Sequence, residues 1–207
     1  GARPVPDGAE AITLATTNAA VAAINARGLA ALPGSTRTSV AEVEGEFGRG
    51  AFPADESLEL KAGARVMFLR NDVSGDARWV NGTTGTVVGI GDELRVEVDG
   101  AVHEVRPTTW EKFRYEYDAG TKQLKKEVVA EFTQFPLRLA WAVTIHKSQG
   151  QTYDRARIDL GSGAFAPGQT YVALSRLRSL DGLHLSRPLR RRDVMADRDV
   201  RRFMGGL

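Results

Sequence analysis

The chain has 207 residues, of which 42% are hydrophobic and 26% are charged, a composition typical of a folded globular protein. It contains no cysteine, which excludes disulfides, a cysteine nucleophile and thiolate metal sites. No uninterrupted apolar stretch is long enough for a membrane span, and the net charge of +2 by itself indicates no class of partner.

The charges are unevenly distributed along the chain. Residues 1–60 carry a net charge of −4, residues 61–135 of −1 and residues 136–207 of +7. The positive final third favours a polyanionic partner such as nucleic acid or nucleotide phosphate. Seven of its basic residues lie between Arg187 and Arg202, so a solvated arginine-rich tail is the alternative interpretation.

The beginning of the chain predicts a strand followed by a helix. Residues 12–16 are β-prone, and Asn18 is a suitable N-cap for a helix that Pro33 and Gly34 would end. A strand leading into a capped helix is the start of an α/β unit.

Residues 61–135 predict a small all-β domain, because short alternating strands are separated by turn signals such as Asn81-Gly82, Asp99-Gly100 and 118–120. The aromatic residues Phe113, Tyr115 and Tyr117 alternate along one of these strands. We expect them in the core of the domain, with base stacking as the alternative role.

From Pro136 onward the pattern becomes α/β again. It predicts an apolar helix over 137–149 that ends at Gly150 and packs through Trp141. A strand over 157–160, a helix from Gly168 to about Leu177 and a strand over 182–186 are predicted to follow.

Two segments of this last third carry the chemistry. Residues 144–152 read Thr-Ile-His-Lys-Ser-Gln-Gly-Gln-Thr and gather hydrogen-bond donors that suit phosphate oxygens. Residues 168–176 read Gly-Gln-Thr-Tyr-Val-Ala-Leu-Ser-Arg, an otherwise uncharged helical stretch that ends in an arginine. Such an arginine presents a rigid bidentate fork that suits a transferring phosphoryl group.

These two segments resemble motifs V and VI of the RecD-like and PIF-type superfamily-one DNA helicases. Residues 14–25 resemble the strand–helix start of that family's second motor domain, and residues 63–86 resemble the beginning of its SH3-like insert. The resemblance implies an α/β fold. A discontinuous RecA-like second motor domain (1–60 and 136–207) would be interrupted by a small, all-β, SH3-like barrel (61–135).

The resemblance also implies roles for individual residues. In these helicases two RecA-like domains hold ATP between them, and the second domain grips single-stranded DNA. Arg176 would be the arginine finger, and Gln149 and Gly150 would lie near the γ-phosphate. Five further residues would contact the DNA backbone: Thr17, Asn18, Thr144, His146 and Lys147.

The sequence contains no GxxxxGK[S/T] phosphate loop. We therefore expect the carboxy-terminal part of a longer ATP-dependent DNA helicase, which needs ATP and Mg²⁺ but neither binds nor hydrolyses ATP through this part alone. The expected partners are single-stranded DNA, the amino-terminal motor domain of the same protein and other DNA repair or recombination subunits. The expected location is the cytoplasm, or the nucleoid in a bacterium, with no membrane association.

Three isolated histidines without cysteine predict no metal site in the protein, and we interpret His103 and His184 as structural or exposed. Two other functions stay open at this point. One is a non-catalytic nucleic-acid-binding module derived from the helicase fold. The other is a RecD-type subunit of a nuclease–helicase complex.

Overall fold

The structure, a computed structural model, describes residues 11–48, 50–118, 122–197, 199 and 202. Arg198, Arg201 and most of the turn predicted at 118–120 lie outside these residues. In chain order the elements are β1 (Ile12–Ala15), α1 (Asn18–Ala31), β2 (Arg37–Val40), β3 (Glu42–Gly45), β4 (Ser57–Leu60), β5 (Arg65–Phe68), β6 (Thr84–Ile90), β7 (Leu94–Val98), β8 (Ala101–Val105), β9 (Thr108–Asp118), β10 (Gln123–Gln134), β11 (Leu137–Leu139), β12 (Ala142–Thr144), β13 (Ala156–Asp159), α2 (Gln169–Leu174) and β14 (Leu183–Leu185). Neither α1 nor α2 has the length and apolarity that crossing a membrane requires.

The chain forms two compact units. One combines the chain up to Gly28 with the chain from Ala140 onward, and the other is Leu29–Leu139. The second unit begins well before residue 61, where the sequence predicted the β insert to start. The reason is that residues 29–60 contribute three short strands, of which β2 pairs with β4 and β3 pairs with β10.

The first unit contains a four-stranded, fully parallel sheet with the order β12-β1-β13-β14. Its central strand β1 is buried along its whole length, which is typical of a parallel sheet covered on both faces. At the sheet edge the Asn25 side chain of α1 donates to the Ala142 carbonyl oxygen over 3.1 Å and accepts from the Ala142 N–H over 2.9 Å. These two bonds satisfy backbone groups of the edge strand β12.

Helix α1 differs from the sequence prediction at its start. The Thr17 hydroxyl accepts a hydrogen bond from the Ala20 N–H over 3.2 Å, so Thr17 rather than Asn18 caps the helix. Trp141 packs where a Cβ on Gly28 would stand, 2.4 Å from the indole ring. Trp141 is therefore a packing residue, as predicted, but it does not lie in a helix.

The helix predicted over 137–149 is wrong. The structure has strand β11, strand β12 and a hydrogen-bonded turn over 145–150 instead. Both strands are short and largely buried, and a buried strand is a continuous apolar run without period-2 alternation. That run looks the same in sequence as an apolar helix. The second helix is also shorter than predicted, because α2 ends at Leu174 and Ser175 is its C-cap.

The second unit is built from antiparallel sheets. Strands β11-β5-β6-β7-β8 form a five-stranded sheet, β3-β10-β9 a three-stranded sheet and β2-β4 a pair. Phe68 stacks on Trp79 with ring centroids 4.3 Å apart, and the fully buried Phe132 contacts the rings of Phe47, Phe52 and Trp110. Phe68, Trp79 and Phe132 belong to the core of the unit, together with buried aliphatic residues such as Val66, Val87 and Val96.

The aromatic stripe of β9 is not part of that core. Tyr115 is 62% exposed and Tyr117 is 65% exposed, and Phe113 is half-buried with the Lys126 ammonium 3.4 Å from its ring centroid. The prediction that these three residues fill the barrel core is therefore wrong for both tyrosines. The reason is that β9 and β10 form a long hairpin of 11 and 12 residues. Both tyrosines pair with the first half of β10, which is exposed, and only the second half of β10 contains buried residues.

Candidate functional site

Two segments that carry predicted site residues meet at the carboxyl ends of two neighbouring parallel strands. Strands β1 and β12 pair in a register that sets Ala15 opposite Thr144. The segments 16–18 and 145–150 therefore leave the sheet side by side, and the Ile145 N–H donates to the Ala15 carbonyl oxygen over 2.9 Å. In open α/β sheets, the crevice outside the carboxyl ends of the strands is the usual place for a ligand.

An open depression of about 420 Å³ lies at this edge of the sheet. Its lining residues are Thr16, Thr17, Asn18, Thr144, His146, Lys147 and Phe165. We call it the polar depression after the functional groups of these residues, although most of the surface that lines it is apolar. All five residues predicted to contact DNA are among these seven. Hydroxyl, amide, imidazole and ammonium groups are donors that suit phosphate oxygens, and no carboxylate stands among the seven to repel them.

The sequence prediction missed two lining residues, the buried Thr16 and the exposed Phe165. Phe165 is the one far from the predicted site residues in the chain. It belongs to the loop over 161–168 between β13 and α2, and its side chain is 59% exposed. An exposed aromatic ring beside hydrogen-bond donors that suit phosphate oxygens also suits the face of a nucleobase. The sequence signal that could have identified Phe165 was its position as a single aromatic residue in an eight-residue stretch that contains three glycines.

The turn over 144–151 presents His146 and Lys147 to solvent. The Lys147 N–H donates to the Thr144 hydroxyl over 3.2 Å, and the Ser148 N–H donates to the Thr144 carbonyl oxygen over 3.1 Å. The buried Ser148 hydroxyl donates to the Ile145 carbonyl oxygen over 2.7 Å. These bonds lie on the inner side of the turn and fix its backbone. The His146 and Lys147 side chains lie on its outer side and are exposed.

Arg176 lies just beyond the end of α2 and is half-buried. Its guanidinium donates to the Val172 carbonyl oxygen (3.2 Å), the Gln151 carbonyl oxygen (3.2 Å) and the Ser175 hydroxyl (3.0 Å). These bonds use three of the five N–H donors of an arginine. The side chain is therefore held in one place by neutral acceptors while its positive charge stays without a carboxylate partner among the described residues.

The backbone directly after residues 144–152 is hydrogen-bonded to the end of the 168–176 segment and to the residues that follow it. The Tyr153 N–H donates to the Arg176 carbonyl oxygen over 2.7 Å, and the Arg178 N–H donates to the Tyr153 carbonyl oxygen over 3.2 Å. Gln149 and Gly150 are exposed at the end of the 144–151 turn, directly before the Gln151 carbonyl that Arg176 contacts. Gly150 has a φ of 81°, a conformation that glycine adopts most easily.

The predicted residues thus fall into two groups, and the 144–151 segment contributes residues to both. Thr17, Asn18, Thr144, His146 and Lys147 share the polar depression. Gln149, Gly150 and Arg176 lie outside its lining, and the Arg176 guanidinium contacts the 144–151 segment at the Gln151 carbonyl oxygen.

Two neighbours of Arg176 define its electrostatic surroundings. Burial raises the pKa of the Tyr153 hydroxyl to about 12, and this hydroxyl has no hydrogen-bond partner among the described residues. Arg178 instead points to solvent, where it forms an ion pair with the exposed Asp154 over 3.3 Å. Arg178 thus has a carboxylate partner, whereas Arg176 has none in the part of the chain that the structure describes.

The described residues contain no group of three or more His, Cys, Asp or Glu side chains that could hold a metal ion. His184 is buried in the first unit and His103 packs edge-on against Trp79 at 5.9 Å between ring centroids.

Comparison with known proteins gives the following similarities. The ATP-dependent DNA helicase Pif1 of Bdellovibrio bacteriovorus is 47% identical over 137 residues, which is 65% of this chain and 28% of that protein. The chain thus spans less than a third of the length of this relative. No protein-family model matches the chain.

Solved structures extend the similarity to nearly the whole chain. Unliganded Pif1 from Bacteroides sp. matches with a TM-score of 0.83 and 35% identity over 95% of this chain and 45% of that one. Pif1 helicase from Bacteroides in complex with ADP-AlF3 and single-stranded DNA matches with a TM-score of 0.76 and 33% identity, over 99% of this chain and 47% of that one.

Proposed function

This chain is a homologue of the Pif1-family ATP-dependent DNA helicases, and we propose that it forms the second RecA-like motor domain of such a helicase and grips single-stranded DNA. The observation that carries the proposal is the polar depression. It gathers five residues from segments about 130 positions apart in sequence, at the edge of the parallel sheet where ligands usually bind.

The depression suits a single strand of DNA because it combines two kinds of group. Thr17, Asn18, Thr144, His146 and Lys147 supply donors for backbone phosphates, which carry no sequence information. Phe165 supplies a ring on which any base can stack, a contact worth about 1–3 kcal/mol. This combination predicts tight, salt-sensitive binding with little sequence preference.

We assign Arg176 the role of arginine finger. Its guanidinium is fixed by three neutral acceptors and retains free charge, so little reorganisation is needed when an anion arrives. ATP bound with Mg²⁺ supplies the phosphoryl group whose transfer drives movement. Arg176 would stabilise the negative charge on that group, an effect typically worth about 10³–10⁵ in rate. Gln149 and Gly150 would lie near the γ-phosphate.

The groups that cradle the remaining phosphates and hold Mg²⁺ would come from an amino-terminal motor domain, because the sequence has no GxxxxGK[S/T] and the described residues have no carboxylate cluster. In this proposal residues 61–135 form an SH3-like barrel that steers the DNA. The five-stranded antiparallel sheet of the second unit supports that architecture.

The segment 144–151 would couple the two activities. Thr144, His146 and Lys147 at one end of it line the depression, and the Gln151 carbonyl oxygen at its other end holds Arg176. A small displacement of the segment therefore changes the DNA contacts and the position of the guanidinium together. Alternate gripping by two domains, timed by the nucleotide, would move the strand along.

Binding of fluorescein-labelled oligo-dT to this chain, followed by anisotropy, tests the DNA proposal. Phe165→Ala should weaken binding at least about fivefold, the lower limit of the loss of one stacked base. The matched control is Tyr171→Ala, which removes another exposed ring (75% exposed) that lies outside the depression. Equal affinities for the wild type and Phe165→Ala would contradict the placement of DNA here.

The motor proposal is tested in a longer protein that carries this chain behind an ATP-binding domain. Arg176→Ala should lower DNA-stimulated ATP hydrolysis by about 10³–10⁵ while nucleotide affinity changes little. Arg178→Ala is the matched control, because it removes an arginine two residues away that is paired with Asp154. Unchanged turnover in Arg176→Ala would refute the finger and favour a non-catalytic DNA-binding module.

A further inference from the structure

The 161–168 loop, which carries Phe165, is held by a part of the chain that the proposed function has not used. The loop contains three glycines, whose backbones lose the most conformational freedom when they are ordered. It forms no helix or strand of its own. Something outside the loop must therefore keep Phe165 at the rim of the polar depression.

Residues 187–195 supply that restraint, and we call them the carboxy-terminal strap. The Arg187 guanidinium donates to the Gly161 carbonyl oxygen over 3.0 Å, and that of Arg192 donates to the Ser162 carbonyl oxygen over 3.2 Å. At the other end of the loop the Gly168 N–H donates to the Met195 carbonyl oxygen over 3.0 Å. The strap thus ties down both ends of the loop.

Asp193 is the centre of the strap. Its fully buried carboxylate accepts both nitrogens of the Arg187 fork, at 2.7 and 2.9 Å, and the Arg190 N–H at 2.7 Å. The Arg187 guanidinium holds the pKa of this carboxyl well below its ordinary value. The carboxylate also lies against the loop, since a Cβ on Gly163 would stand 3.3 Å from its Oδ1. The Thr170 hydroxyl of α2 donates to the Asp193 carbonyl oxygen. One acidic residue therefore joins the strap, the loop and the helix that follows it.

We propose that Asp193 is a positioning residue for single-stranded DNA, acting through Phe165, and that Arg187 is its essential partner. The inference rests on the proposed function of the depression. It gives the basic tail a role that differs from direct phosphate contact: Arg187 is engaged with a buried carboxylate and holds a loop. The Phe165 N–H, which donates to the Gln169 side-chain oxygen over 3.1 Å, completes the support on the helix side.

The first test is a double-mutant cycle in oligo-dT binding with Asp193→Asn and Phe165→Ala. Asp193→Asn removes a negative charge, which by itself favours DNA binding, yet it should weaken binding at least about fivefold, comparable to the loss of one stacked base. Combined with Phe165→Ala it should add no further loss. Additive losses, or tighter binding by Asp193→Asn, would overturn the proposal.

Two further variants keep the test decisive. Asp181→Asn is the matched control, because it removes an exposed carboxylate from the same unit and should leave affinity unchanged or slightly higher. Arg187→Lys keeps the positive charge but loses the fork, so it covers the case in which Asp193→Asn fails to fold. It should weaken binding in the wild type and have no effect in Phe165→Ala. Equal effects in both backgrounds would refute the proposal.

Hydrogen exchange separates this proposal from the DNA proposal. In the absence of DNA, Asp193→Asn should raise the exchange rates of the Phe165 and Gly168 amides, and Asp181→Asn should not. Unchanged exchange in Asp193→Asn refutes positioning whatever the DNA results are. Faster exchange in a protein that binds no oligo-dT shows that the strap holds the loop and refutes the DNA role of the depression.

Discussion

The Arg176 guanidinium donates a hydrogen bond to the Gln151 carbonyl oxygen over 3.2 Å, and this contact joins two segments 25 residues apart. Gln151 ends the same turn whose beginning, at Thr144, lines the polar depression. One short, hydrogen-bonded turn thus separates Thr144, at the depression, from the carbonyl that holds the proposed finger. Coupling of the two sites through this turn is the physical basis of the motor proposal.

Lys147→Ala should weaken oligo-dT binding by this chain and reduce its salt dependence. Loss of one phosphate contact lowers the slope of log K against log [salt] by about 0.7 on a single strand. Anisotropy titrations over a range of salt concentrations measure the slope. Arg155→Ala is the matched control, since Arg155 is exposed and directly precedes β13. It therefore lies at the amino ends of the parallel strands, away from the depression at their carboxyl ends. Equal slopes for the two variants would remove Lys147 from the DNA surface.

Gly28→Ala should destabilise the protein, although the same change usually stabilises a helix interior by about 0.5–1 kcal/mol. A Cβ at this position would stand 2.4 Å from the Trp141 ring, and overpacking of this kind costs about 1–3 kcal/mol. Urea unfolding measures the difference. Trp141→Leu should recover part of the loss when combined with Gly28→Ala, and a more stable single variant would contradict the close approach of α1 to Trp141.

Asp72→Asn should lower stability near neutral pH by about 1.5–3 kcal/mol, the worth of hydrogen bonds to a charged group. The Arg78 guanidinium donates to both Asp72 oxygens at 2.8 Å and holds the pKa of this buried carboxyl well below its ordinary value. Because the pKa is lowered in the folded state, the stabilisation is present above about pH 4 and is lost as pH falls towards the lowered pKa.

The difference in urea midpoint between wild type and Asp72→Asn should therefore be largest at pH 7 and shrink below pH 4. Asp92→Asn, which changes an exposed carboxylate, should show little difference at any pH. A gap that stays constant from pH 7 to strongly acidic pH would show that the charge of Asp72 contributes nothing.

Because the β9 tyrosines are exposed, replacing them should change the free energy of unfolding far less than replacing a core aromatic residue. Tyr115→Ser and Tyr117→Ser should each change the free energy of unfolding by less than about 1 kcal/mol, the range of cross-strand pairs. Phe132→Ala should cost about 3–5 kcal/mol, because Phe132 is fully buried among three aromatic rings. Comparable losses in all three variants would place the tyrosines in the core after all.

Local patterns in the sequence predicted much of the fold. Strand β1, helix α1, strands β13 and β14 and the strand character of 113–117 follow from periodicity, turn signals and helix-breaking residues. The two motif segments identified the helicase family, because their chemistry is carried by residues that are consecutive in the chain. Local signals suffice wherever the determining contacts are local.

The errors have a shared cause. The apolar run over 137–149 has the composition of a helix, and only its pairing with β5 and β1 makes it two strands. The alternation of Tyr115 and Tyr117 shows that they share a face, but not that this face of the long β9–β10 hairpin is exposed. Likewise, Thr17 and Asn18 are both good caps, and the backbone path selected Thr17.

The sequence alone determined which residue types the site contains. It also showed that the last third of the chain is basic and that the rest is acidic. Tertiary structure decided which of the site residues meet. Parallel pairing of β1 with β12 brings 16–18 against 144–147, and the buried Asp193 carboxylate holds the loop that adds Phe165. Both depend on contacts between residues far apart in the chain, and these form only when the sheet and its connections pack together.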